Sequence, residues 1–206
     1  MKWVPLGLVR YTVCLGGIRV VFFLLCILTG PFLMLYYVPD VNRAHADVMD
    51  IMQVVPFGAF VRNVHRWAAC LMIVCVPAHM LRVFLQAAYK PPRQLNWLVG
   101  ITLLILTYLM CFTGYMLPWD QEAYWGATIG ATMAENSPFL GAKGPFSVLP
   151  PDKDIHYIML GGTVLDQPTL SRFFFAHCIA IPGALAGLMG FHFYNIHKAG
   201  GMSGPL

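Results

Sequence analysis

Charge is what this chain has least of. Asp, Glu, Lys and Arg make up 11% of its 206 residues, against about 25% in an ordinary soluble domain. Too few charges are present to cover a water-facing surface, which excludes a soluble globular domain. With hydrophobic residues at 58%, a disordered chain is excluded as well. The net charge of +4 is spread along the chain and gathers into no basic patch, so a nucleic-acid partner is excluded. Low-complexity tracts and internal repeats are also missing. There are six cysteines, yet no CxxC and no CxxCH; from chemistry alone each is a small buried hydrophobe. Residues 1–11 are too short and polar for a separate span and show no small-residue cleavage site, so no removable signal peptide is expected. What remains, at a mean hydropathy of +0.66, is an integral membrane protein whose length suits one bundle of a few spans.

A helix needs about 20 mostly apolar residues to cross the hydrocarbon layer. Four segments qualify, at roughly 11–38, 57–89, 95–117 and 173–197. The fold class expected is all-α: a transmembrane four-helix bundle forming a single domain over 1–206, with a long loop carrying short surface helices. The connecting segments orient it. Lys2, Arg10, Arg19, Arg82, Lys90, Arg93 and Lys198 put +7 on one side. The first loop, with Asp40, Arg43, Asp47 and Asp50, sums to −2, and the long loop at 118–171 sums to −4. Basic short loops stay on the cytoplasmic, negative (n) side. Both termini are therefore expected on the n side, and both acidic loops on the positive (p) side. Arg62, Arg66 and Arg172 fall at the span mouths. A loop as long as the second is usually functional.

Titratable groups inside spans are costly and mark function. His65 and His79 lie in the second span, His177 and His192 in the fourth. Fourteen helical residues return to within about 40° of the start, about 21 Å along the axis. His65 and His79 thus share a face near opposite membrane surfaces. His177 and His192 are 15 apart, with Pro182 between them free to kink the helix. Both spans run from p to n, so His65 matches His177 in depth and His79 matches His192. Two stacked bis-imidazole sites would hold two haems; ligands this far apart cannot share one zinc ion. A lone buried histidine is more often a packing residue, but four at matched depths speak against that. His45 and His156 read as solvated loop residues. His197, at the n-side mouth, suits quinone contact or a plain interfacial role.

Gly16 and Gly30 in the first span, and Gly100 and Gly114 in the third, are also 14 apart. Glycine lets another surface approach the backbone closely. These pairs suit clearance for porphyrin rings, or small-residue helix contact. Arg62 lies three residues before His65 and Arg82 three after His79. A guanidinium fork suits a haem propionate; interfacial snorkelling is the alternative.

The chain at this point resembles the N-terminal four-helix half of the cytochrome b family, and within it the b6 branch of b6f-type complexes. The segments that carry the resemblance are Cys14-Leu15-Gly16-Gly17-Ile18, Arg62-Asn63-Val64-His65-Arg66-Trp67, His79-Met80-Leu81-Arg82-Val83, Thr113-Gly114-Tyr115-Met116-Leu117-Pro118-Trp119-Asp120-Gln121, Thr169-Leu170-Ser171-Arg172-Phe173 and Ser203-Gly204-Pro205-Leu206. It covers nearly the whole chain and is weakest at about 134–165. The 15-residue histidine interval resembles b6, mitochondrial cytochrome b being one shorter.

The resemblance implies two haem b groups, on His65 with His177 and on His79 with His192. It also implies a covalent, high-spin haem c on Cys14 through one thioether, with Arg19 placed to pair with its propionates or to anchor the helix. The implied activity is quinol oxidation on the p side, with protons released there. One electron leaves through a Rieske iron–sulfur protein toward a c-type cytochrome or plastocyanin. The other crosses to the n side and reduces quinone. The segment with Pro118, Trp119, Tyr124, Trp125, Gly126, Ala127 and Thr128 is expected to line the p-side quinol pocket, its flat and small residues suiting a ring. No Pro-Glu-Trp-Tyr motif occurs, as expected if it belongs to a separate subunit IV, so the chain alone is an incomplete enzyme. A homodimeric complex in a bacterial cytoplasmic or thylakoid membrane is implied too. Two other classes stand beside this one. A di-haem anchor of a hydrogenase or formate dehydrogenase should lack the Pro-Trp-Asp-Gln loop. A haem-free scaffold or transporter component would make the histidine spacing a coincidence.

Overall fold

The computed structural model describes residues 15–201. Its elements in chain order are α1 (Leu15–Met34), α2 (Ala44–Gln53), α3 (Gly58–Leu85), α4 (Gln94–Met116), α5 (Gln121–Glu135), α6 (Ile155–Leu160), α7 (Gln167–Phe175), a π-helical turn over Ala176–Ala180, and α8 (Ile181–Lys198). Four helical stretches of 20, 28, 23 and 32 residues are long and apolar enough to cross a membrane, the last running Gln167–Lys198. At about 1.5 Å per residue, the shortest reaches about 30 Å, the thickness of the hydrocarbon layer. The chain divides into two compact units: one of residues up to Phe32, Phe60–Cys111 and from Ile181 on, the other of Leu33–Ala59 and Phe112–Ala180.

The first unit packs around Phe23, Met72, Val99, Leu103 and Leu185, with Phe22, Leu106 and Met189 against them. Its helices turn large apolar groups outward as well, among them Leu28, Trp67, Val74 and Phe84. A hydrophobic surface on single helices suits lipid or protein neighbours, not water.

The second unit is held by polar contacts that the acidic loops supply. The Asp47 carboxylate, buried in α2, accepts from Val38 N at 2.8 Å and pairs with Arg43 at 3.1 Å. Gln167 accepts from Val41 N at 3.0 Å and donates to the Pro39 carbonyl at 2.6 Å, which ties the first loop to the start of α7. Tyr37 donates to the Leu117 carbonyl at 2.6 Å and stacks on Phe174. Asp120 caps α5 by accepting from Ala123 N at 2.8 Å. Ala123, Ala127 and Ala131, one helical turn apart, bury the same face of α5.

The structure moves several expected boundaries. The first span is described as Leu15–Met34, residues 11–14 lying outside the described part, and the second ends at Leu85. The fourth begins at Gln167, six residues before the apolar run, because Asp166 and Pro168 supply a helix start. Arg172 is not a bare span-mouth charge: its guanidinium donates to the Tyr157 and Ile158 carbonyls at the end of α6. His45 sits on α2 and not in a loop, exposed, and His156 is half-buried on α6. The turn before Pro182 is π-helical, which takes the Cys178 carbonyl out of an α register that the proline ring would strike.

Asp154 is the pivot of the long loop and is fully buried. It accepts from Tyr157 N at 2.8 Å, capping α6, and from Ala142 N at 3.0 Å. Burial alone would raise its pKa, but these two amides and nearby His156 outweigh it and hold the carboxyl below the usual carboxylate range. A depressed acid stabilises the fold above its unfolded pKa of about 3.9 and loses that contribution as pH falls through the folded value. Limited proteolysis at residues 136–154 should therefore accelerate in acid. Asp154→Ala should cleave several-fold faster at neutral pH, as a lost cap of about 0.5–2 kcal/mol requires, and show a flatter acid response.

Candidate functional site

Glycine and histidine meet four times. A methyl added at Gly16 would lie 3.6 Å from His79 Cε1, and one at Gly30 would lie 3.7 Å from His65 Cε1. At Gly100 it would lie 3.8 Å from His192 Cε1, and at Gly114 it would enter the His177 ring, 2.9 Å from Nδ1. Each of the four expected clearance glycines thus faces a different one of the four expected ligands. The imidazoles lie where larger side chains would stand.

In the first unit, His192 and Gly16 line a small, mostly apolar cavity of about 40 Å³, together with Arg19, Phe23, Met72 and Leu103. His79 lies at its edge, against Gly16. The Nδ1 atoms of both His79 and His192 are buried without a hydrogen-bond partner. Buried polar atoms are almost always satisfied, so two imidazoles that each keep an unpartnered ring nitrogen, with His192 also bonded to the Asn96 backbone, fit a site that would hold a metal cofactor. No three His, Cys, Asp or Glu side chains converge among the described residues.

The other two histidines are held by threonines. In the first unit, Thr29 Oγ1 lies 2.8 Å from His65 Nδ1 and 2.6 Å from the Leu25 carbonyl. The hydroxyl has one proton and the carbonyl can only accept, so Thr29 donates to Leu25 and accepts from Nδ1–H. His65 is thereby assigned the tautomer whose lone pair is on Nε2, the form a metal requires. In the second unit, Thr113 Oγ1 lies 3.3 Å from His177 Nδ1. Each threonine directly precedes a facing glycine, Thr29-Gly30 and Thr113-Gly114. From the sequence, Thr113 stands only in a segment that carries the family resemblance and Thr29 not at all, although the repeated Thr-Gly step was the available signal of a histidine partner.

The remaining expected residues are dispersed. Arg62 and Arg82 are half-buried on α3. In the 118–128 segment, Tyr124 and Trp125 face outward with their rings in edge contact, while Ala127 is fully buried with Met116 and Phe173. Gly126 abuts Met116 and Tyr115, and Trp119 packs with the Tyr37 cluster. The set divides between two faces, and Ala127 is a core residue. Cys14 lies outside the described residues. His197 is exposed at the end of α8.

A family model described as cytochrome b/b6/petB matches residues 2–200. The chain belongs to the cytochrome b/b6 family. It is 40% identical over 197 residues to the cytochrome b subunit of menaquinol:cytochrome c reductase from Bacillus subtilis, covering 95% of this chain and 83% of that one. It is 40% identical to cytochrome b6 of Heliobacterium mobile (98% and 90% covered) and 39% identical to cytochrome b6 of Mastigocladus laminosus (100% and 89%). Among solved structures, a hyperthermophilic respiratory complex III matches with a TM-score of 0.81 at 32% identity, over 94% of this chain and 49% of that one. The chain spans about half the length of that matched chain. Membership in the cytochrome b/b6 family makes it a multi-pass membrane electron-transport subunit of a bc1/b6f-type quinol oxidoreductase complex, and implies haem b.

Proposed function

We propose that this chain carries electrons between a p-side quinol oxidation site and an n-side quinone reduction site, coupled to proton translocation. His79 with His192, and His65 with His177, would hold the two b haems. The observation that carries this is the matching of the four intramembrane imidazoles to four glycines at 14-residue spacing. When bound, the haems supply one-electron redox chemistry at two depths of the membrane. The protein's part is to aim the rings and exclude water. Thr29 accepts from His65 Nδ1–H and fixes its Nε2 lone pair inward. The apolar walls of the hollow keep the surroundings of His192 dry. Arg62 and Arg82 hold propionates, Cys14 carries a covalent haem c, and the outward rings of Tyr124 and Trp125 border the quinol site. Both termini lie on the n side. A subunit-IV-like segment outside these 206 residues, a Rieske iron–sulfur protein and a c-type cytochrome complete a dimeric assembly.

A pyridine haemochrome spectrum of the complex, taken before and after acid–acetone extraction, tests this. Two extractable b haems per chain with a residual polypeptide-bound haem are expected. Extractable haem with none left behind would remove Cys14 from the scheme, and no haem in material from the native membrane would overturn all of it. Thr29→Val separates the aiming role from ligation. The valine keeps the shape and removes the acceptor, so the ring loses anionic character. Haem content should be unchanged, while redox titration should show a higher midpoint potential for the His65 haem alone.

A further inference from the structure

Arg19 stands in the wall of the hollow beside His192, inside α1 and facing Gly16, with its Nη2 4.0 Å from where a Gly16 methyl would be. Its Nε is buried and has no hydrogen-bond partner. Among the described residues, the titratable groups it interacts with are His79, His192 and Cys75, none of them a carboxylate. Nor can its own unit supply a counter-charge. All nine Asp and Glu residues of the chain, at 40, 47, 50, 120, 122, 135, 152, 154 and 166, fall in the second unit. The first unit has no side-chain carboxylate at all. A guanidinium kept in a low-dielectric span needs an anion, because an uncompensated buried charge is among the costliest features a fold can carry.

We propose that Arg19 takes a porphyrin propionate as that anion, and so acts as a positioning residue for a haem in the n-side hollow. The inference rests on the reading of His79 and His192 as haem ligands. Its chemistry is specific: the fork of an arginine matches a carboxylate with two parallel N–H bonds, and the hollow offers no other polar wall beyond Thr107 and His192. Removing the charge leaves the propionate uncompensated beside the iron, which favours the oxidised state.

The test is redox titration of the isolated complex carrying Arg19→Met, an apolar replacement of similar length that a membrane helix tolerates. The expected result is a fall of tenfold or more in the equilibrium constant for reducing the n-side haem from the p-side one, which is 59 mV for a one-electron couple. Selective loss of the n-side haem, with the p-side haem intact, also supports the assignment. An unchanged n-side potential at full haem content overturns it. Absence of an n-side haem from the parent complex would instead sink the ligand reading. In a Cys14→Ala background the shift persists if the propionate belongs to the histidine-ligated haem and disappears if it belongs to a covalently held one. Should Arg19→Met not accumulate, redox-difference infrared spectra decide. With carbon-13 propionates, carboxylate bands that move between the parent and Arg19→Lys uphold the contact, and identical bands refute it.

Discussion

Replacing His79 by alanine is expected to remove one b haem and leave the other, halving the haem that acid–acetone extracts from each chain. His79 sits against Gly16 with its Nδ1 committed to no protein group, so its loss breaks no hydrogen bond that supports the fold. The void left is one imidazole at the edge of an existing hollow. Stability should therefore change by no more than about 1–3 kcal/mol, the usual range for a single substitution, while one axial bond vanishes. The remaining haem should keep its spectrum and potential, because its proposed ligands, His65 and His177, are anchored by Thr29 and Thr113. Electron transfer across the complex should stop, whereas quinol oxidation with a rapid artificial acceptor should continue. Loss of both haems, or of neither, would mean that the pairing of the four histidines is wrong.

The second large effect is expected at Gly114. A methyl there would fall 2.9 Å from His177 Nδ1 and 3.0 Å from Nε2, inside the distance real side chains keep. Gly16, Gly30 and Gly100 each leave their imidazole at 3.6–3.8 Å, which is ordinary van der Waals contact. Gly114→Ala should consequently expel the His177 ring from its position, cost about 1–3 kcal/mol as overpacking does, and deplete the p-side haem. Gly30→Ala should be far milder. Haem content and optical spectra of the two variants, compared side by side, check this ordering. Equal tolerance at the two positions would contradict it.

Most of the fold was legible because a membrane span is written in composition: twenty apolar residues without charge have few other meanings. The four histidines were legible for the same reason, a polar group in an apolar run being conspicuous. What went unread was local. α2 hides among acids, although Ala44, Val48, Ile51 and Val55 recur at helical intervals and all join the Tyr37 cluster. Arg172 read as an interfacial charge because nothing in its neighbourhood announces that it returns 14 and 15 residues to cap α6. Thr29 and Thr113 were invisible as partners, since a threonine inside a span ordinarily bonds its own helix, as Thr107 does to Leu103 at 2.7 Å. Only the fold brings those hydroxyls to the imidazole of another segment. Ala127, grouped by proximity in sequence with pocket residues, belongs instead to the periodic buried face of α5.

The confinement of every acid to one unit has a consequence for protons as well as for charge balance. In the proposed scheme quinone reduction would consume two protons on the n side, and a proton wire commonly hops along carboxyl groups that load and unload near neutral pH. The first unit offers no such stepping stones. Deliveries there must run over water, over imidazoles such as the exposed His197, or over groups that another polypeptide brings to the surface. If quinone is reduced beside the first unit, as proposed, proton uptake there would draw on groups other than side-chain carboxylates of that unit.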